Sequence, residues 1–262
     1  MIKLKDILLE NQPNIFIPRR LEGRFEKYIQ QYIKNGSKGN LDLSNTNLTK
    51  LPDILKYIKV VGGSFHCGNN NLTSLEGCPK SVGGNFHCGN NNLTSLEGCP
   101  KSVGGDFLCS GNKLTSLEGC PKSVGGSFHC SRNNNLISLQ GSPENVGGNF
   151  YCDYNKLTSL QGSPKSVGGD FWCSGNNNLT SLQGSPKSVG RSFHCDGNNL
   201  ISLQGSPESV GKDFYCSRNN NLISLQGSPE NVGGDFWCRG NKIKFTEQQV
   251  RAICDVKGRV YV

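Results

Sequence analysis

Four histidines, thirteen cysteines and two tryptophans are the residues of this chain with the most chemistry to offer, and most of them recur at a fixed interval. A Phe-x-Cys triplet appears nine times, with Cys at positions 67, 88, 109, 130, 152, 173, 195, 216 and 238, so the spacing is always 21 or 22 residues. The residue between Phe and Cys reads His66, His87, Leu108, His129, Tyr151, Trp172, His194, Tyr215, Trp237, which places every His and both Trp of the chain in one series. The residue before each Phe reads Ser64, Asn85, Asp106, Ser127, Asn149, Asp170, Ser192, Asp213, Asp235 and becomes more acidic along the chain. Catalysis gains little from this pattern. His129 adjoins Cys130, but successive residues of an extended strand face opposite ways, whereas a Cys–His pair needs hydrogen-bond reach. A metal site needs about four convergent ligands, and one thiol per repeat along a straight line does not converge. His66 and His87 supply two ligands at most. No catalytic residue, metal or cofactor is therefore expected, and the chain reads as a non-enzyme.

The elements that must position these side chains follow from the repeat, of which Leu72–Asn92 (LTSLEGCPKSVGGNFHCGNNN) is one unit. In Gly63-Ser64-Phe65-His66-Cys67 the strand alternation turns Phe65 and Cys67 inward and Ser64, His66 and Gly68 outward. Asn70, Asn91, Asn112, Asn155, Asn198 and Asn241 are placed to turn the chain and bond neighbouring backbone as a buried ladder. Leu72 and Leu75 return to the core, Pro79 favours an extended path, Val82 closes the core, and Gly83-Gly84 makes the corner into the next strand. The extra residue of the longer units falls in the runs Asn133–Asn135, Asn176–Asn178 and Asn219–Asn221, where a loop absorbs what a strand cannot. Leu41, Leu43, Leu48 and Leu51 form a divergent first unit. The Cys column is expected to be a row of small buried hydrophobes. The shorter column Cys78, Cys99, Cys120 passes to Ser142, Ser163, Ser185, Ser206 and Ser228, which argues against a required thiol there.

The spacing fits L-x-x-L-x-L-x-x-N-x-L, and Leu72–Pro79 (LTSLEGCP) matches the extended return of the short bacterial and viral leucine-rich repeats of about 20–22 residues. Over about residues 41–245 the chain resembles that family, departing from it in placing Phe and Cys where Leu and Val or Ile are usual. Near-identical repeats behind a start such as MIKLKDILLE also resemble leucine-rich-repeat proteins encoded by marine tailed phages. The resemblance implies an α/β or mainly β fold: a curved, right-handed solenoid with one parallel sheet of about ten rungs. Residues 1–40 are expected to be an N-terminal helical cap, 41–245 the solenoid, and 246–262 a C-terminal helix/strand cap. Within the first cap, Met1–Glu10 reads as a short amphipathic helix, and Arg19–Lys34 places Leu21, Phe25, Tyr28, Ile29 and Tyr32 near helical spacing. In the second, Thr246 and Gln249 form a capping box, and Gly258 allows a last strand over 259–262. Only 24 residues follow Cys238, so the ubiquitin-ligase domain of bacterial effectors with this repeat is not implied.

Charge bounds the partners. The net charge is +8, but residues 1–40 and 239–262 each carry +4, while 62–238 is close to neutral with eleven Lys/Arg against twelve Asp/Glu. The repeated body is therefore no polyanion groove, and nucleic acid is not the expected partner. No stretch approaches the ~18 apolar residues that span a bilayer. The start carries no secretory signal, so a reducing, cytoplasmic compartment with free thiols is expected, or a virion if the chain is phage-encoded. The outward aromatic/His stripe beside the acidic one has the composition of a binding surface. Its candidate residues are His66, His87, His129, Tyr151, Trp172, His194, Tyr215 and Trp237, with Asp170, Asp213 and Asp235. The expected partner is a protein; the alternatives are a glycan or a structural or adhesive role in a virion. The competing purely structural reading is that adjacent rings stack to shield the sheet.

Overall fold

The computed structural model describes residues 22–262. It is a solenoid whose every turn contributes one two-residue strand to each of two parallel sheets. The first sheet has eleven strands and contains all nine Phe-x positions, from Leu41–Asp42 through Phe65–His66 to Phe236–Trp237 and Val260–Tyr261. The second has ten, from Val60–Val61 through Ser81–Val82 to Asp255–Val256. One sheet of about ten rungs was the expectation. The second sheet forms because the Ser-Val or Asn-Val pair before each corner also lines up with its counterpart one turn on, as in Ser81↔Ser102 and Val82↔Val103.

Register is uniform along the axis. Phe65 pairs with Phe86, His66 with His87, and so on to Phe236 with Val260 and Trp237 with Tyr261. The nine Phe are fully buried and stack on one another at centroid distances of 5.1–5.8 Å. The nine Cys of the triplets are buried beside them, and all thirteen Cys are free. Several thiols donate to the carbonyl one turn on, for example Cys152 Sγ to Trp172 O at 3.2 Å and Cys195 Sγ to Tyr215 O at 3.1 Å. Parallel side chains point the same way, so the Cys109, Cys130, Cys152 and Cys195 sulfurs meet a backbone acceptor and not one another. Burial pushes the Cys152 and Cys195 thiols well above the usual range, which keeps them protonated and unreactive. The Cys-to-Ser exchange in the shorter column has a similar basis. Cys99 Sγ and Cys120 Sγ donate to the Gly119 and Gly141 carbonyls, and Ser142 and Ser185 hydroxyls donate to Gly162 and Gly205.

The turn after each Phe-x-Cys strand is set by two columns. The residue two places after Cys takes a left-handed conformation in every rung, whether it is Gly111 (φ 69°), Arg132 (φ 57°) or Tyr154 (φ 54°). The following residue is the ladder Asn. Asn91 Nδ2 donates to Cys67 O and Cys88 O, both at 3.0 Å, and its Oδ1 accepts from the Leu72 N–H at 3.0 Å. Asn133, Asn176 and Asn219 occupy the same slot in the longer rungs and are the most buried of the series. They stand first in the Asn runs, so the inserted residue lies after the ladder.

The ends are closed by helices. Glu22–Lys34 buries Ile29 and Tyr32, and its Tyr28 hydroxyl accepts the Asp42 N–H on the outer edge of the first strand at 3.2 Å. Leu41, Leu43 and Leu51 are buried as the divergent first rung. At the other end Thr246 and Gln249 form a capping box on the helix Glu247–Arg251. The expected helix over Met1–Glu10 and the side chains of Leu21 and Phe25 lie outside the described residues.

Candidate partner-binding face

The residue between Phe and Cys points away from the core in every rung and is half-buried throughout. From His129 onward these side chains form one continuous seam of rings. Centroids are separated by 4.3 Å for His129–Tyr151, 6.0 Å for Tyr151–Trp172 and 3.6 Å for Trp172–His194. The series continues at 4.3 Å for His194–Tyr215, 5.8 Å for Tyr215–Trp237 and 3.7 Å for Trp237–Tyr261, with all planes within 29° of parallel. Tyr261 was missed in the sequence because its rung lacks Phe and Cys. The signal was there in Gly258-Arg259-Val260-Tyr261, which keeps the corner glycine and the alternation. His66 and His87 meet edge to face at 6.1 Å but stand apart from the seam, because Leu108 interrupts the column.

The stacking has two chemical consequences. Ring faces are occupied by neighbouring rings, so the seam offers solvent its ring edges. Burial also holds His87, His129 and His194 below the ordinary imidazole range, His194 at about 4, although Asp170 and Asp213 pull that last group the other way. At neutral pH the seam is therefore uncharged. The Trp172 and Trp237 indole N–H groups are buried without an acceptor, a cost that the ring contacts must offset.

The Ser/Asn/Asp column beside the seam carries a structural task that its composition hid. Each side-chain oxygen accepts the backbone N–H of the corresponding residue one turn on. Asn149 Oδ1 takes Asp170 N–H at 2.8 Å, Asp170 Oδ1 takes Ser192 N–H at 2.9 Å, and Asp213 Oδ1 takes Asp235 N–H at 2.7 Å. Asp235 Oδ1 ends the series on Arg259 N–H at 2.7 Å. Ser, Asn and Asp interchange here because each offers a short-armed acceptor oxygen. The second oxygen of Asp213 takes another partner, Oδ2 accepting from the Tyr215 hydroxyl at 3.1 Å, while Arg191 Nε lies 3.6 Å from Asp170 Oδ1, the oxygen that also accepts Ser192 N–H. On the far side of the seam, burial raises the Asp196 carboxyl to about 6, although Ser217 N–H donates to it at 3.0 Å. The seam ends under Arg239, whose guanidinium lies 5.0 Å from the Tyr261 ring centre.

His129 and Cys130 do not form a catalytic pair. Cys130 is buried on the core side of the strand while His129 lies on the other face, and the Cys130 thiol donates to Tyr151 O at 3.3 Å. Among the described residues no three His, Cys, Asp or Glu side chains gather as metal ligands, and no helix is long and apolar enough to cross a membrane.

Neither a family model nor a curated protein sequence matches this chain. Among solved structures it is similar to YopM from Yersinia enterocolitica WA-314, at 18% identity and a TM-score of 0.47, over 94% of this chain and 60% of that one. On its own geometry, with in-register parallel strands and a buried Asn ladder in each turn, the chain is a leucine-rich-repeat-like solenoid.

Proposed function

We propose that this chain is a non-catalytic scaffold that captures a protein partner along the seam from His129 to Tyr261. The observation that carries this reading is the seam itself: seven stacked rings, half-buried by one another, on the outer face of the eleven-stranded sheet. Ring stacking alone would shield the sheet. It also fixes the rings before any partner arrives, so binding would cost little side-chain entropy. Asp170, Asp213 and Asp235 bring carboxylates to one side, and Arg191 and Arg239 add positive charge at intervals, which suits a polar rim around an apolar line. A sugar would need an open ring face to stack on, and within the seam those faces are taken, so a protein is favoured over a glycan.

The test is cross-linking capture by the wild type, by a Trp172→Ala/Trp237→Ala variant, and by Ile137→Ala, which changes an exposed residue away from the seam. Capture should be lost in the double variant and kept in Ile137→Ala, with melting temperatures of all three within a few degrees. Equal capture by a folded Trp172→Ala/Trp237→Ala protein would remove this reading.

A further inference from the structure

The opposite end of the cross-section carries a second surface. Where the last return loop would be covered by a following rung, the chain instead lays down the short helix Glu247–Arg251, and the two do not meet fully. A cavity of about 710 Å³ opens between them, lined on one wall by Ile223, Leu225 and Gln226 and on the other by Phe245, Ala252 and Ile253. Its volume lies in the range of ligand-sized clefts, roughly 300–1,000 Å³. Leu225 is 6% exposed whereas Leu182 and Leu203, its counterparts in the two rungs before, are fully buried. Ile223 and Ile253 are 53% and 48% exposed at the mouth, and Ile201 extends the apolar surface one rung back.

The backbone tells what shape fits. In four earlier rungs the N–H at this position donates to a carbonyl of the next rung: Leu117 to Gln140, Leu160 to Gln183, Leu182 to Gln204 and Leu203 to Gln226, at 2.9–3.1 Å. Leu75, Leu96 and Leu139 make no such bond; Leu225 has no following return loop to offer a carbonyl, and an extended main chain laid in the cavity would supply one. The segment that leads into the Phe245 wall tells which charge fits. Lys242 and Lys244 flank Ile243 in the segment just before Phe245, both exposed and neither within 4.0 Å of a carboxylate of the described residues. The one acidic residue of the helix, Glu247, is engaged by Arg251 at 2.7 Å.

We propose that this cleft is a docking site for an extended segment of a partner protein in which aliphatic residues alternate with Asp or Glu. The aliphatic side chains replace the missing rung against Leu225 and Phe245, a main-chain carbonyl receives the Leu225 N–H, and the carboxylates meet Lys242 and Lys244. This surface is separate from the aromatic seam and stands independently of it.

The probe is a fluorescein-labelled hexapeptide Glu-Leu-Asp-Ile-Glu-Leu, titrated with the full chain and followed by fluorescence anisotropy. Saturable binding is expected, weakened at least tenfold by Ile253→Asp and by Lys242→Glu/Lys244→Glu, and absent for the same peptide with Lys in place of its acidic residues. All substituted positions are exposed, so the variants should melt with the wild type, and Trp172→Ala/Trp237→Ala should bind the peptide normally. No saturable binding by the wild type, unchanged binding by either cleft variant, or equal binding of the lysine peptide would overturn the proposal. So would concentration-dependent self-association of the wild type that Ile253→Asp abolishes, which would assign the cleft to a second copy of the chain.

Discussion

His194 shows how far one side chain's chemistry is set by its neighbours. It lies between Trp172 and Tyr215 at 3.6 and 4.3 Å, and burial brings its titration down to about 4. An unfolded histidine titrates near ~6.5. Between those values the unfolded chain holds a proton that the folded chain lacks, so stability rises with pH across this window. The stabilising balance is complete above about 6.5 and is lost as the pH falls toward 4. His87 and His129 act in the same direction. Asp196, raised to about 6, opposes them, because its folded form keeps a proton that the unfolded form releases. His194→Phe keeps a ring in the seam and removes one proton-linked cost, while Asp196 contributes equally to both proteins. From pH 7 to pH 5 the melting temperature of the wild type should fall by roughly 2–4 °C more than that of the variant, as for ~1 kcal/mol in a chain of this size. Parallel pH profiles would refute the assignment.

At the scale of one turn, the Asn ladder holds the rung together. Asn176 is fully buried; its Nδ2 donates to Cys152 O and Cys173 O at 3.1 and 2.9 Å, and its Oδ1 accepts from Asn155 and Leu157 N–H at 3.1 and 3.3 Å. Asn176→Ala leaves these groups without partners in the core. A cost of about 3 kcal/mol is expected, or roughly 6–12 °C in thermal unfolding. Asn177→Ala, one residue on and exposed, should change the melting temperature by less than about 2 °C. Similar losses in both would mean that the ladder is not where this rung's stability resides. The same turn shows what the sequence makes legible. The Phe/Cys alternation, the Leu pair and the capping box at Thr246 are readable because burial or a cap imposes a residue type at each position. The second sheet is not, since a two-residue strand with one apolar Val has too few positions to show a period. The structural task of the Ser/Asn/Asp column is hidden for a different reason. Its shared property is an acceptor oxygen on a short arm, and only the register reveals the N–H waiting one turn on. Tyr261 was hidden because its rung keeps the geometry of the repeat without its landmark residues.

Taken as a whole, the molecule is a one-dimensional array in which each strand hydrogen-bonds within its sheet only to its counterparts one turn before and after. Removing residues 131–173 takes out two complete rungs, 43 residues, and joins Cys130 to the Ser174 that follows Cys173 in the same repeat position. The shortened protein should retain parallel-sheet circular dichroism and melt cooperatively, a few degrees lower. Removing 131–163 instead breaks the register and should leave an unfolded or aggregating chain. If the two deletions behave alike, neighbour-only coupling is wrong. The ring seam has an optical consequence as well. Trp172 and Trp237, the two indoles of the chain, are both in van der Waals range of a neighbouring seam ring, at 3.6 and 3.7 Å. Tyrosine emission from positions 151, 215 and 261 has an indole acceptor one rung away, so near-ultraviolet excitation anywhere along the seam converges on two emitters. Whatever lies down on that face shifts their emission, and the protein reports its own occupancy without a label.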